Sequence, residues 1–370
     1  MKSLWIWAII FILTSCAAIP KFGCQAPNKV VEKVQYSEDL ILRTSKYVEL
    51  GMVKYRHYFM DQNKMFRAEM TTKNEIIIYG QVPEDAKLVV FKDSVLLNEF
   101  VSNEYLGFKA LTSNLLLLMS GAKMALVNVD GELLLYRDFS SSHENIFFNG
   151  IFGNDLAYSK ERNSIFLFND YTKKGFNLDL CEISLKDFHL SWTGVSAPHG
   201  VLNYGHYSLP EICISNNSLF ISYPYDSYVY KYEIGDWKKS KICASSTYFE
   251  AMAPAIKGWN LTERMDHRFT QPFYSNIYYL PKSNKYVRLY YKRKELFEDC
   301  VNQMYRTYGR EASVIVFDSN FEQLYEGNLA ERVFPSGVFV DSSDLYFLQL
   351  SCNNIEYNAD KFSYKHVQIQ

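Results

Sequence analysis

Short apolar runs separated by turn residues recur along most of the chain. Between Phe108 and Phe139 the runs are 108–110, 115–119, 124–129 and 133–137, broken by turns at 112–114, at Gly121 and at Asp130-Gly131. Runs this short, bounded by turn formers, are strands, and Asp-Gly is a preferred hairpin turn, so the stretch predicts a four-strand meander. The same pattern returns over 155–192, with turns at 160–163, 170–175 and 186–187, and over 211–243, with turns at 215–217, 223–226 and 235–236. Repeats of about 40–50 residues with four strands each predict propeller blades, whose small sheets hide their faces only against one another.

Two incomplete copies follow. One has strands over 274–280 and 286–292, an insertion, and a hairpin over 313–326; the other has strands over 338–340 and 345–350 and closes on 362–369. The last copy lacks a strand. A segment near 47–55 is expected to supply it, joining the chain ends in one sheet and removing the open edges that invite aggregation. A first blade over about 65–100, containing Ile76–Tyr79 and a hairpin over 87–100, brings the count to six. The expected fold is therefore all-β: a six-bladed β-propeller closed by pairing of N- and C-terminal strands, with a short helical insertion. That helix is placed over 295–308, where Phe297, Val301, Met304, Tyr305 and Tyr308 fall near helical spacing ahead of Gly309, and its expected role is packing onto the propeller.

The first residues break the pattern. Lys2 precedes an apolar stretch from Leu4 to Leu13, far shorter than the roughly 20 residues a spanning helix needs, and this reads as a signal peptide. The stretch ends in Leu13-Thr14-Ser15-Cys16, which resembles the lipobox of bacterial lipoproteins. The resemblance implies cleavage before Cys16 and diacylglycerol on its thiol, and at about 0.8 kcal/mol per buried CH₂ two acyl chains hold a protein stably on a membrane. Ala17 stands where an inner-membrane retention signal would place Asp, and no acidic cluster follows, which points to the outer membrane and its periplasmic leaflet. The expected division is a signal peptide over 1–15, a flexible tether over 16–36 containing Pro20, Pro27 and Asn28, and the propeller over 37–370.

Composition narrows the partners. The formal net charge of -2 leaves no basic field for nucleic acid and no polybasic block for anionic lipid, so the expected partners are the membrane, through Cys16, and an envelope protein or glycan. Tyr 29 and Phe 26 make the chain rich in the aromatic residues that suit pleated, half-buried surfaces. Cys24, Cys181, Cys213, Cys243, Cys300 and Cys352 remain once Cys16 is lipidated. Their even number permits disulfides in an oxidising compartment, scattered buried thiols are equally open, and no C-x-x-C pair suggests a zinc ribbon or a redox centre.

In a four-strand meander the turns joining strands one to two and three to four lie on one face, and the remaining connections lie opposite. The first set is short throughout, whereas the second holds the long segments 140–154, 194–210, 246–273 and 293–312. Long loops gathered on one side of a rigid scaffold are where binding usually resides, although exposed loops also collect polar residues for no further reason. His143, His199, His206 and His267 fall in these segments. Arg264, His267, Arg268 and Arg288 are the candidate binding residues, because cationic and imidazole groups suit carboxylate, phosphate or glycan oxygens. Arg288 also reads as a strand residue paired with a neighbouring blade.

No Walker loop, H-E-x-x-H, G-x-S-x-G or EF-hand spacing occurs, so no catalytic residue, metal or cofactor is assigned. The histidines at His199 and His206 lack the usual companions of a metal site and read as polar loop. Paired acids of the glycosidase kind leave no spacing in a sequence.

The stretch from Glu263-Arg264 through Tyr274-Ser275-Asn276-Ile277-Tyr278-Tyr279-Leu280-Pro281 to Lys285-Tyr286-Val287-Arg288, the hairpin 314–326 and the strand 344–350 together resemble a bacterial lipoprotein family of unknown function. The likeness is clear over the last third and loose elsewhere, departing at Asn74–Tyr79 and in the long loop before Thr270. It implies a TolB-like six-bladed propeller and brings no catalytic residues with it. The expected function is a lipid-anchored binding or scaffolding module for a protein, peptide or glycan. The alternative is an envelope enzyme, such as a glycan hydrolase or lyase, with acids in the central channel.

Overall fold

In the run Leu115–Ser120 (LLLLMS) what alternates is destination, not polarity. Leu116 and Leu118 pack with Ala68, Met70 and Ile76 from the sheet before, and Leu117 and Met119 with Ile165 and Ile183 from the sheet after. A strand covered on both faces is apolar throughout, and this is the rule that stacks the blades. The computed structural model describes residues 24, 26, 34–37, 40–43, 53–61, 64–71, 75–80, 86–92, 107–140, 156–169, 179–196, 210–253, 261–294, 309–330, 332–333, 335–348 and 361–369.

Six antiparallel sheets form a six-bladed β-propeller. Two short strands, β1 (Gln35–Tyr36) and β2 (Leu40–Arg43), precede blade one, which is β3 (Val53–Asp61), β4 (Lys64–Thr71), β5 (Ile76–Tyr79) and β6 (Lys87–Val89). Blade two is β7 (Gly107–Thr112), β8 (Leu115–Ser120), β9 (Lys123–Asn128) and β10 (Leu133–Asp138). Blade three is β11 (Leu156–Ser159), β12 (Ser164–Asn169), β13 (Asp179–Ser184) and β14 (Leu190–Ser196). Blade four is β15 (Glu211–Ser215), β16 (Ser218–Ser222), β17 (Tyr228–Glu233) and β18 (Lys239–Cys243). Blade five is β19 (Phe273–Leu280), β20 (Lys285–Tyr291), β21 (Ala312–Phe317) and β22 (Gln323–Asn328). Blade six is built from β23 (Val338–Val340), β24 (Leu345–Leu348) and β25 (Lys361–Gln368). First strands of neighbouring blades approach one another, β3 to β7, β11 to β15, β15 to β19 and β19 to β23, so the first strands are innermost and the fourth outermost.

The ring closes as expected, but with a different strand. β25 pairs with β24 on one side and on the other with β1 (Gln35↔Gln368) and β2 (Leu40↔Tyr364, Arg43↔Lys361). Of the segment near 47–55 only 53–55 are described, and they do not fill this place. From Val53 the chain is already β3, whose hairpin with β4 pairs Asp61 with Lys64. A hairpin across a two-residue connection costs little closure entropy, so it takes Val53–Asp61 and leaves the earlier segment for the seam. Blade one therefore begins at Val53 and not near residue 65, and 93–100 of its expected hairpin lie outside the described residues. The helix expected over 295–308 also lies outside them. A helix does form at α1 (Leu261–Thr270), in the connection between β18 and β19, with Glu263 in its first turn where the helix dipole favours an acid.

The short-turn face carries a repeated lock. In blades three, four and five the turn between the last two strands holds an aspartate whose carboxylate accepts a backbone N–H two residues on: Asp187 from His189, Asp236 from Lys238 and Asp318 from Asn320. Each turn also carries an aromatic residue at positive φ, Phe188 (51°), Trp237 (54°) and Phe321 (61°). A bulky residue persists in that region only where its surroundings over-determine it. Here each ring turns into the junction with the preceding blade: Phe188 joins the cluster of Leu117 and Met124, Trp237 meets Phe166 edge-on, and Phe321 lies on Phe220 and Tyr286.

Gly131, at φ +80°, sets a further contact on that face: a Cβ there would lie 1.7 Å from the Val90 carbonyl oxygen of blade one. Gly131→Ala is expected to cost about 2–4 kcal/mol, from backbone strain plus displacement of a neighbouring chain. Gly235→Ala, also at positive φ (+118°) but with nothing within 4 Å, should cost about 1–2 kcal/mol from strain alone. Parallel urea melts check the difference; equal costs would mean that the Val90 contact yields freely.

Candidate functional site

Loop lengths in the fold are unequal on the two faces. Short turns such as Asn216-Asn217, both at positive φ, join first to second strands, while the described stretches 244–253, 261–272, 292–294 and 309–311, from the β18–β19 and β20–β21 connections, lie on the opposite face around the junction of blades four and five. The sequence of β20 explains what lies beneath them. Tyr286, Arg288 and Tyr290 alternate on the side facing blade four, and Val287, Leu289 and Tyr291 on the side facing blade six. A fully buried arginine thus enters an aromatic interface between blades.

Its guanidinium is spent on backbone. Arg288 donates to the carbonyls of Tyr223 (3.1 Å), Asp226 (2.9 Å), Ala244 (3.2 Å) and Ser275 (3.4 Å), and lies 4.0 Å from the ring centre of Tyr274. Burial lowers its pKa to about 10, partly offset by Tyr274, Asp226 and Glu211. The Asp226 carboxylate is held by the Tyr230 hydroxyl and the Tyr228 N–H. One layer outward, the buried Glu326 accepts from the hydroxyls of Ser246 (2.5 Å) and Ser313 (2.5 Å) and from the N–H and hydroxyl of Thr247 (both 2.7 Å). Tyr274 accepts from the Ser246 N–H at 2.9 Å. Burial raises the Tyr274 phenol to about 12, against the pull of Arg288. Buried polar groups satisfied this fully rigidify what they hold, here the start of the long connection at 244–250.

Above the network the surface is charged. Arg293 pairs with Glu250 (3.0 Å) and reaches Gln271, and Lys292 covers the ring of Tyr248. Lys294 donates to the Gly309 carbonyl, and burial with Arg310 and Arg332 nearby lowers its pKa to about 8.

The expected site residues separate here. Arg264 and Arg268 lie on α1, in the connection between β18 and β19. His267, also on α1, is buried and donates from Nε2 to the Ala253 carbonyl at 2.6 Å, fastening the helix to the loop. Arg288 lies beneath, with no exposed atoms to offer a ligand. Cys16, His143, His199 and His206 fall outside the described residues. No group of three or more His, Cys, Asp or Glu is placed to hold a metal among the described residues, and no helix among them is long and apolar enough to cross a membrane.

Sequence reading left the network unseen, since Ser246, Thr247 and Glu326 share no spacing. It also left the cysteines open. Cys24 is bonded to Cys243, at the end of β18 where the long connection begins, and the Cys24 N–H donates to the Ser227 hydroxyl at 2.9 Å. Cys181, whose thiol reaches the Leu167 carbonyl at 3.5 Å, and Cys213 are not joined in a disulfide, and burial raises Cys213 to about 12.

No family model and no curated protein matches the chain by sequence. Solved structures do. The fold is shared with a DUF4221 protein. That structure, from Bacteroides vulgatus, superposes with a TM-score of 0.68 at 16% identity, covering 91% of this chain and 98% of its own. It agrees with the resemblance to a propeller family of unknown function carried by the last third of the sequence. A Bacteroides fragilis protein described as exported, BF0058, matches at a TM-score of 0.47 and 11% identity, over 94% of this chain and 98% of its own. A GH74 enzyme of Niastella koreensis matches at 0.43 and 11% over 85% of this chain and 42% of its own. Likenesses this distant bear on neither activity nor location.

Proposed function

We propose that the protein is a lipid-anchored propeller of the cell envelope, held on the periplasmic leaflet of the outer membrane through Cys16. Its long-connection face, at the junction of blades four and five, serves as a binding or scaffolding surface for a protein, peptide or glycan. The observation that carries this reading is the buried network of Arg288 and Glu326, which makes a rigid platform of the loop base on one face. The opposite face is spent on the inter-blade aromatic locks.

Two measurements test the two halves. Cys16→Ala is expected to move the protein from the membrane to the soluble fraction after a carbonate wash; retention would overturn the anchor. Joint replacement of Arg264, Arg268 and Arg293 by alanine should weaken capture of crosslinked envelope partners by about tenfold or more, the worth of one charge-assisted contact. Changing Asp130 and Asp236 on the short-turn face should leave capture intact. The reverse outcome would place binding on the other face.

A further inference from the structure

A chain anchored at Cys16 meets the membrane in an orientation set by where its N-terminal segment leaves the body. In each blade the fourth strand ends, and the connection from second to third strand lies, on the long-connection face. Cys243 ends the fourth strand of blade four, and Ser227 sits between its second and third strands. Cys24 is bonded to the first and hydrogen-bonded to the second, so it is seated on that face by two contacts. In blade six β1 begins opposite Gln368, at the end of the third strand and hence on the short-turn face. The two points of attachment lie on opposite faces of the propeller.

We propose that the Cys24–Cys243 disulfide selects which face meets the membrane, turning the long-connection face of blade four toward the bilayer. With the bond intact, the leash from Cys16 ends at Cys24 and spans at most about 28 Å, at about 3.5 Å per residue. Without it the leash runs on to Gln35, reaches about 65 Å at full stretch, and departs from the short-turn face of blade six. Strands of six residues at about 3.4 Å each set the two faces roughly 20 Å apart, so the bond shortens the leash to little more than the depth of the body. A short leash rooted on one face keeps that face near the lipid; a long one rooted on the other does not. The inference rests on the anchor at Cys16 and deepens the proposed function: what the long-connection face binds is presented in the plane of the membrane.

The test is an orientation measurement on the full mature chain in vesicles of phosphatidylethanolamine and phosphatidylglycerol. A fluorescent residue is placed at position 250, on the long-connection face, or at position 236, on the short-turn face, and energy transfer to a headgroup acceptor is read. The expected result is stronger transfer from 250 than from 236 in the oxidised protein, with the difference lost or reversed in Cys24→Ser/Cys243→Ser and after reduction of the intact chain. Equal transfer, or stronger transfer from 236, in the oxidised protein overturns the proposal. The same reading on a chain held at residue 16 by a histidine tag on nickel-chelating lipid separates the two ideas. Failure of the cell-made protein to bind vesicles sinks the lipid anchor, whereas the wrong order of transfer on the tagged chain sinks the orientation. Because reduction and the tagged chain both use the native propeller, the test survives a double variant that does not fold.

Discussion

Arg288→Met is expected to lower the stability of the whole propeller by about 3–5 kcal/mol, since hydrogen bonds to a charged group contribute about 1.5–3 kcal/mol and several are lost together. Methionine fills much of the volume but leaves the carbonyls of Tyr223, Asp226, Ala244 and Ser275 without the donor that joins them across the blade junction. At this size such a loss corresponds to a fall in Tm on the order of 10 °C. Arg288→Lys should rescue little, because one ammonium cannot reproduce a planar fork that reaches several carbonyls and stacks on Tyr274. Arg293→Ala provides the contrast: its pair with Glu250 is solvent-exposed on both sides and should contribute less than about 1 kcal/mol. Thermal and urea melts followed by circular dichroism check all three. A melt of Arg288→Met within about 1 kcal/mol of the parent would show that the junction does not depend on the guanidinium.

A chain ending at residue 360 should lose its cooperative melt altogether. β25 pairs with β24, β1 and β2, so its removal deletes the third strand of blade six, releases the N-terminal strands and opens the ring at once. Tyr364, Val367 and Ile369 are buried, and each large apolar side chain kept from water contributes about 1.5–3 kcal/mol. With the strand pairing added, the loss is of the same order as the marginal stability of an ordinary domain. Calorimetry of the truncated chain gives the answer, and a transition at the parent temperature would mean that closure holds nothing together.

The middle blades were legible because their signals are local. Asn216-Asn217 and Asp130-Gly131 mark turns whose strands lie beside them in sequence, and the aspartates at 187, 236 and 318 repeat in phase. Blade six was half legible: the missing strand was recognised, but nothing within Leu40–Arg43 names a partner more than three hundred residues away. The helix α1 was within reach, since Leu261, Met265 and Phe269 recur at four-residue intervals, yet its many polar residues read as loop. For the candidate site, the face could be read from loop lengths while its foundation could not. Arg288 drew attention as a cation, and its alternation with Tyr286 and Tyr290 was the clue that it points into a junction. Glu326 meets Ser246 from eighty residues away, a meeting that only the folded ring creates.

The bond between Cys24 and Cys243 also decides how the molecule bears load. A pull on any residue ahead of Cys24 passes through sulfur into the outer strand of blade four, and from there into a sheet whose strands are continuous with the body. The seam of blade six, where β1 and β2 are held to β25 by hydrogen bonds, lies downstream of that junction and stays slack. Were the bond absent, the same pull would arrive first at the two residues of β1 and could peel the closing strands apart one pair at a time. A joint made of hydrogen bonds alone is thus shielded by a covalent stay fixed two blades away.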